Sequence, residues 1–260
     1  MNELTIITYK WRGWRGDNFY KAEHVNTLKR MVADNCSIPH RFVCITDDPT
    51  DVEAETRAMT PDPGIQVMGR RPNSFRRLWL FSEEAREEFG PRILHMDLDC
   101  VILKDIAPLL TDDWYKVMYG KASRYNGSMW QVKPGVRPEI WTGLHCGADA
   151  EIRKYNHRTK LPNYGSDQAW MSYKIEDAPT WGMKNGCFHF SLLYPDGYAP
   201  GSRAAHTCKN FGRISRVTKL PDHARIVFFA GSQKPWSPET ATRSPKLYAA
   251  YQKYVNPTTG

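Results

Sequence analysis

At 260 residues, with 41% hydrophobic and 25% charged positions, the chain is long enough for one substantial core and has the composition of an ordinary globular protein. Its formal charge of +8 favours anionic partners: nucleoside diphosphates, nucleic acid or an acidic membrane surface. The N-terminus lacks the basic start, long apolar region and small-residue cleavage site of a secretory signal, and no apolar run approaches the ~20 residues needed to span a bilayer. The six cysteines are scattered without a C-x-x-C pair, which disfavours structural zinc and a disulfide framework and points to reduced thiols in the cytoplasm.

Residues 4–9 form a short β-branched apolar run that predicts a buried strand, followed by a tandem Trp-Arg-Gly loop over 11–16. Tyr20, Val25, Leu28, Met31 and Val32 recur at helical spacing, predicting a helix over about 19–34. A second strand is expected over 41–46. Ser74 is a plausible N-cap for a helix running through Arg77 to about Glu88. Strands are expected over 92–97 and 114–119. Beyond Lys121, Pro, Gly and Trp become frequent and the pattern loosens. A short helix is expected to open at 165–170, a late strand at 226–230, and a last helix at 238–254 before a tail over 256–260. Strands alternating with helices across short loops predict an α/β fold, a single mixed sheet with helices on its faces. One domain spanning 1–260 is the simplest division.

The run from Arg92 to Leu103 carries the strongest chemical signal. Asp97 and Asp99 interrupt an apolar, strand-forming stretch, and burying ionised carboxylates without partners is costly. In an extended chain, residues i and i+2 face the same way, roughly 6.5–7 Å apart. Two carboxylates at that spacing suit one divalent cation held against a diphosphate. The bland alternative is an acidic pair at a strand end, exposed to water or paired with arginines. The turn from Gly231 through Lys234, Pro235 and Trp236 follows a strand; Gly allows unusual dihedrals there, and Lys234 can reach an anion. A solvated lysine and a core tryptophan would be its commoner fate. Ser166, Asp167 and Gln168 set a carboxylate beside an amide, where an N-capped helix start is equally natural.

These elements, taken in order with the Asn126-Gly-Ser128 turn, resemble nucleotide-sugar glycosyltransferases of the GT-A fold, most closely the retaining, family-eight type that includes galactosyltransferases and glycogenin relatives. The similarity runs from about Leu4 to Trp236 through short motifs. It implies a Rossmann-like sheet with a nucleotide-binding half over about 1–120, a loop-rich acceptor and catalytic half over about 121–236, and a C-terminal helix and tail over 237–260. It implies that Asp97 and Asp99 hold Mn²⁺ or Mg²⁺, and that Thr8 and Tyr9 lie near the base and ribose of a nucleotide-sugar donor, a UDP-sugar by default. Arg76 or Arg77 would reach the diphosphate or sugar, Lys234 the diphosphate with Trp236 anchoring its turn, Asp167 and Gln168 the transferring sugar, and Asn126 the donor or acceptor. Phe228 stands where the family often has a histidine ligand, so donor oxygens and water, or His189 or His223, would complete the metal's shell, or metal dependence is weaker.

Glycosyl transfer builds negative charge on a leaving diphosphate, which a divalent cation, a lysine and an arginine stabilise, while the sugar becomes oxocarbenium-like beside Asp167 or Gln168. Trp11 and Trp14 suit stacking on a base, and Arg12 and Arg15 a phosphate, although a surface loop capping the sheet explains them too. The default acceptor is a saccharide or lipid-linked saccharide, with a hydroxylated DNA base the second choice. A metal-dependent nucleotidyltransferase or phosphohydrolase, and a non-catalytic nucleic-acid-binding protein, are the rival readings. A salt-steep affinity that survives loss of the acidic pair would mark the last of these.

Overall fold

The computed structural model of the protein describes residues 4–12, 20–66, 73–120, 124–159, 166–190, 193–194, 197–198, 220–231 and 233–255. The chain opens with β1 (Leu4–Lys10), α1 (Ala22–Asn35), β2 (His40–Thr46) and β3 (Glu55–Ala58). A 3₁₀ segment (Asn73–Phe81) leads into α2 (Glu83–Phe89), β4 (Arg92–Met96) and β5 (Cys100–Ile102). Then come β6 (Tyr115–Tyr119), β7 (Tyr125–Val132), α3 (Glu139–Thr142), α4 (Ala148–Thr159) and α5 (Asp167–Lys174). The last elements are β8 (Thr180–Trp181), β9 (Cys187–His189), β10 (Leu193–Tyr194), β11 (Gly197–Tyr198), β12 (Ile226–Phe228), α6 (Pro238–Arg243) and α7 (Pro245–Val255).

Among the described residues the main sheet has seven strands in the order β3-β2-β1-β4-β7-β6-β8. β3, β2, β1 and β4 run parallel, and β7 lies antiparallel between β4 and β6. β1 is buried along its whole length because both of its faces are covered. Its alternate side chains divide between two cores: Leu4 and Ile6 pack with α1 and α7, and Ile7 and Tyr9 pack with the 3₁₀ segment, α2 and the aromatic residues of β6 and β7. A smaller sheet, β5-β12-β9, joins the first core through Val101, Phe188 and Phe228. The strand order reverses direction between β1 and β4, and open α/β sheets bind ligands outside the carboxyl ends of the strands at such a point.

Several expectations are corrected. The helix expected from Ser74 to Glu88 is a 3₁₀ segment and a separate α-helix. Ser82, not Ser74, caps α2, its Oγ accepting from Ala85 N at 3.2 Å. The helix expected over 238–254 is two helices, because Pro245 has no N–H to continue α6. The region beyond Lys121 is less loose than its composition suggests: β7 is an interior strand of the main sheet, between β4 and β6. The five described cysteines are free of disulfides, with Cys36, Cys44, Cys100 and Cys187 buried. Gly13–Gly16 of the Trp-Arg-Gly loop, Gly165, Ser232 and the tail over 256–260 lie outside the described residues. Among the described residues no helix is long and apolar enough to cross a membrane.

Candidate active site

Asp97 and Asp99 leave the sheet at the carboxyl end of β4. Asp97 N still donates to Ser128 O of β7 at 2.8 Å, and Asp99 O accepts from Phe229 N at 2.9 Å, so the Asp-Leu-Asp segment bridges the large sheet and the small one. Leu98 points into the core and is 2% exposed, which turns its two acidic neighbours the other way.

Each acid is met by a cation from a distant part of the chain. Arg77, on the 3₁₀ segment, donates from Nη1 to Asp97 Oδ1 at 2.6 Å and to Gly127 O at 3.3 Å. Its Nη2 lies 2.5 Å from Oδ2 of Asp167, at the start of α5, and Asp167 is wholly buried. Lys234 Nζ donates to Asp99 Oδ2 and, at 3.1 Å, to the Tyr20 hydroxyl, which itself donates to Asp99 Oδ2 at 3.3 Å. The Lys234 backbone is fixed in turn: its carbonyl accepts from Ser237 N at 3.0 Å and from Thr240 Oγ1 at 2.7 Å, and Gly231 opens the turn at a φ of +63°.

The electrostatics are unbalanced. Three carboxylates face two cations, which leaves one negative charge in excess when all are ionised. Burial pushes the Asp97 carboxyl up to about 7; Arg77 opposes that shift and Asp99 adds to it. Burial raises Asp167 as well, against the pull of Arg77. Burial resists the charge on Arg77, but Asp167 and Asp97 outweigh it and hold the guanidinium charged. Burial and Asp99 keep the Tyr20 phenol protonated, hence able to donate. His95, fully buried and stacked on Trp130, lies 4.0 Å from Asp97 Oδ1; burial and then Arg77 hold it neutral.

Gathered at this point are Arg77, Asp97, Asp99, Asp167 and Lys234, with Gln168 at the edge beside Gly127. Of the two arginines, Arg77 is the one that lies in this cluster. Arg76 turns away, donating to Thr60 O at 2.7 Å and pairing with Asp62 at 3.0 Å. Asn126 spends its Oδ1 on Ser128 N at 2.8 Å, holding the backbone where β7 bulges away from β6. Trp236 stacks on His24 with ring centroids 3.7 Å apart and so anchors the lysine turn. Thr8 and Tyr9 are buried in the sheet, Tyr9 against Trp11 and His95. A surface cavity of about 650 Å³ lined by Arg57, Pro61, Trp79, Glu84 and Trp141 shares no residue with this cluster.

Tyr20 and Gly127 also belong to the cluster, and neither carries a sequence signal for that role. In the sequence Tyr20 reads only as an apolar position of a helix. Gly127 enters the sequence pattern only as the middle of the Asn126-Gly-Ser128 turn, and nothing local to it signals the guanidinium beside it. Phe228 is fully buried in the core. His223 faces Met183 O at 2.9 Å, and His189 is paired in register with Phe228. Among the described residues, no group of three or more Asp, Glu, His and Cys is arranged to hold a metal ion.

By sequence, no family model and no curated relative matches the chain. Its fold, however, is similar to those of solved glycosyltransferases. The galactosyltransferase LgtC, in complex with donor and acceptor sugar analogues, aligns with a TM-score of 0.56 and 11% identity over 98% of this chain and 96% of that one. The apo-form glycosyltransferase GlyE of Streptococcus pneumoniae TIGR4 gives 0.56 and 10% identity over 97% of this chain and 60% of that one. The bifunctional WbbM gives 0.58 and 10% over 99% and 50%. At these identities the likeness is one of fold, the GT-A type expected from the motifs.

Proposed function

We propose that the protein is a glycosyltransferase that moves a sugar from a nucleoside diphosphate donor, a UDP-sugar in the first instance, to a hydroxyl acceptor. The observation that carries this reading is the convergence of Asp97, Asp99, Arg77 and Lys234 where the strand order reverses, in a fold it shares with sugar-transferring enzymes. A diphosphate leaving group needs positive charge close by, and the two cations that meet the acidic pair are the groups to supply it. Lys234 reaches the phosphates by exchanging its Asp99 contact for a phosphate oxygen. Arg77 stays between Asp97 and Asp167 and orients both.

The charge excess on the acidic pair suits a divalent cation, Mn²⁺ or Mg²⁺, which Asp97 and Asp99 would hold with Phe228 contributing nothing. Such an ion, when bound, adds electrostatic stabilisation to the leaving phosphate. Gln168, partly buried beside Gly127, would be the neutral acceptor that steadies an oxocarbenium-like sugar, whereas the Asp167 carboxylate is engaged by Arg77. Thr8 and Tyr9 would serve the nucleotide from the end of β1. Asn126 acts through the β7 bulge, and Trp236 through the turn that carries Lys234. The acceptor is a saccharide or lipid-linked saccharide, with a hydroxylated DNA base retained in the screen because of the +8 charge.

Calorimetry with nucleoside diphosphates in the presence of Mn²⁺ tests the proposal, followed by a donor and acceptor screen by mass spectrometry. Binding of one diphosphate, lost in Asp99→Ala, is the expected result. Wild-type protein that binds none of them would remove the reading. Phosphate release or phosphodiester formation without sugar transfer would replace it with the hydrolase or nucleotidyltransferase alternative.

A further inference from the structure

We infer that Gly127 is a positioning residue of this site, required because a side chain there would drive apart the three elements that hold Arg77. The inference rests on the function proposed above for its catalytic consequence, and on geometry alone for its structural one. Between Val117 and Met118 of β6 the partner on β7 jumps from Trp130 to Asn126, so residues 127–129 bulge out of that ladder. The bulge brings the Gly127 backbone against the guanidinium, and its carbonyl accepts from Arg77 Nη1 at 3.3 Å.

A Cβ added at Gly127 would lie 2.9 Å from Arg77 Nη2, 3.2 Å from Gln168 Cγ and 3.3 Å from Asp167 Oδ2. The first separation is shorter than real Cβ contacts, and the other two are tight. Usually a long side chain yields by swinging aside. Arg77 has little freedom to do so: Asp97 holds one nitrogen at 2.6 Å, Asp167 lies 2.5 Å from the other, and the residue is 6% exposed. Asp167 cannot easily retreat either, since it is wholly buried at the start of α5. A methyl group therefore displaces the guanidinium, which pulls on Asp97, or displaces α5 with Gln168, or both. In each case groups on the 3₁₀ segment, β4 and α5 shift relative to one another. Displacements of about 1 Å at reacting groups cost on the order of 10²-fold in rate.

The test is Gly127→Ala beside Gly182→Ala, where an added Cβ meets nothing within 4 Å. Both variants are checked for cooperative thermal unfolding. Gly127→Ala is expected to lower kcat with donor by roughly 10²-fold, with a smaller rise in KM, while Gly182→Ala matches wild type. Its crystal structure is expected to show the Arg77–Asp167 contact lengthened or α5 moved. Wild-type turnover in Gly127→Ala, or an unmoved Arg77–Asp167 pair, would overturn the inference. If wild-type protein transfers no sugar, the function proposed above fails, and the crystallographic arm still decides the positioning role. If Gly127→Ala does not fold, ¹⁵N spectra of wild type decide. Restricted rotation and slow exchange of the Arg77 guanidinium protons support the clamp, and fast rotation and exchange refute it.

Discussion

Arg77, on the 3₁₀ segment, holds Asp97 at the end of β4 by a 2.6 Å hydrogen bond, and the same guanidinium lies 2.5 Å from the buried carboxylate of Asp167 on α5. One cation thus compensates two acids, and removing it strands Asp167 without a charge partner in the interior. Replacing Arg77 by Met, which keeps the stem and removes the charge, is expected to destabilise the protein by about 3–5 kcal/mol, the usual cost of orphaning a buried charge. Urea unfolding measures this. An Arg77→Met protein as stable as wild type would show that Asp167 is carried as a neutral acid.

Arg76 provides the contrast. Its guanidinium pairs with Asp62, which is 46% exposed, and lies outside the acidic cluster. Exposed pairs of this kind contribute about 0–1 kcal/mol. Arg76→Ala is therefore expected to change stability by no more than about 1 kcal/mol and to leave nucleoside diphosphate affinity at the wild-type value by calorimetry. A tenfold loss of affinity would give Arg76 a phosphate-facing role.

The parts legible in the chain were those with a periodic or local signal. β1, β2, β4 and α1 follow from apolar pattern, and the acidic pair stands out because Asp97 and Asp99 break that pattern. The lysine turn declares itself through Gly231, whose positive φ needs a residue without a Cβ. What lay hidden is set by distance along the chain. Tyr20 and Asp99 are 79 residues apart, and Lys234 and Asp99 are 135 apart, so no window of sequence contains either contact. The 3₁₀ form of residues 73–81 was also hidden, because a segment of such apolar content satisfies either kind of helix. β3 and β8 to β11 are two to four residues long, too short for alternation to register.

Lys234 and Asp99 form the second buried ion pair, with side chains 6% and 8% exposed. Under the function proposed above, Lys234 leaves Asp99 for the diphosphate, so the pair contributes to stability in the free enzyme and to affinity in the complex. A double-mutant cycle with Lys234→Met and Asp99→Asn is expected to give a coupling of roughly 0.5–3 kcal/mol in unfolding experiments. Lys234→Met alone is expected to weaken nucleoside diphosphate binding by about 1.5–3 kcal/mol, the value of a hydrogen bond to a charged group, which corresponds to roughly ten- to hundredfold. Unchanged affinity in Lys234→Met would leave the lysine a purely structural partner of Asp99.

His24 gives the site's flank a dependence on pH. Its ring stacks on Trp236, and Nδ1 accepts from Lys21 N at 3.0 Å, a bond that only the neutral ring makes at that nitrogen. Burial, with Lys21 and Lys234 nearby, lowers its pKa to about 4. An unfolded chain takes up this proton near 6.5, so the folded state binds fewer protons between about 6.5 and 4. The stability His24 supports is therefore complete above about 6.5 and declines as the pH falls towards 4, by about 3 kcal/mol in all. Asp97 acts in the opposite sense: raised to about 7 in the fold, it makes the folded state the tighter proton binder over the same interval. The His24 contribution is read from the difference between wild type and His24→Phe, in which Asp97 cancels. Unfolding free energies measured from pH 7 to 4 are expected to fall more steeply for wild type than for His24→Phe, and parallel curves would show that His24 does not titrate in this window.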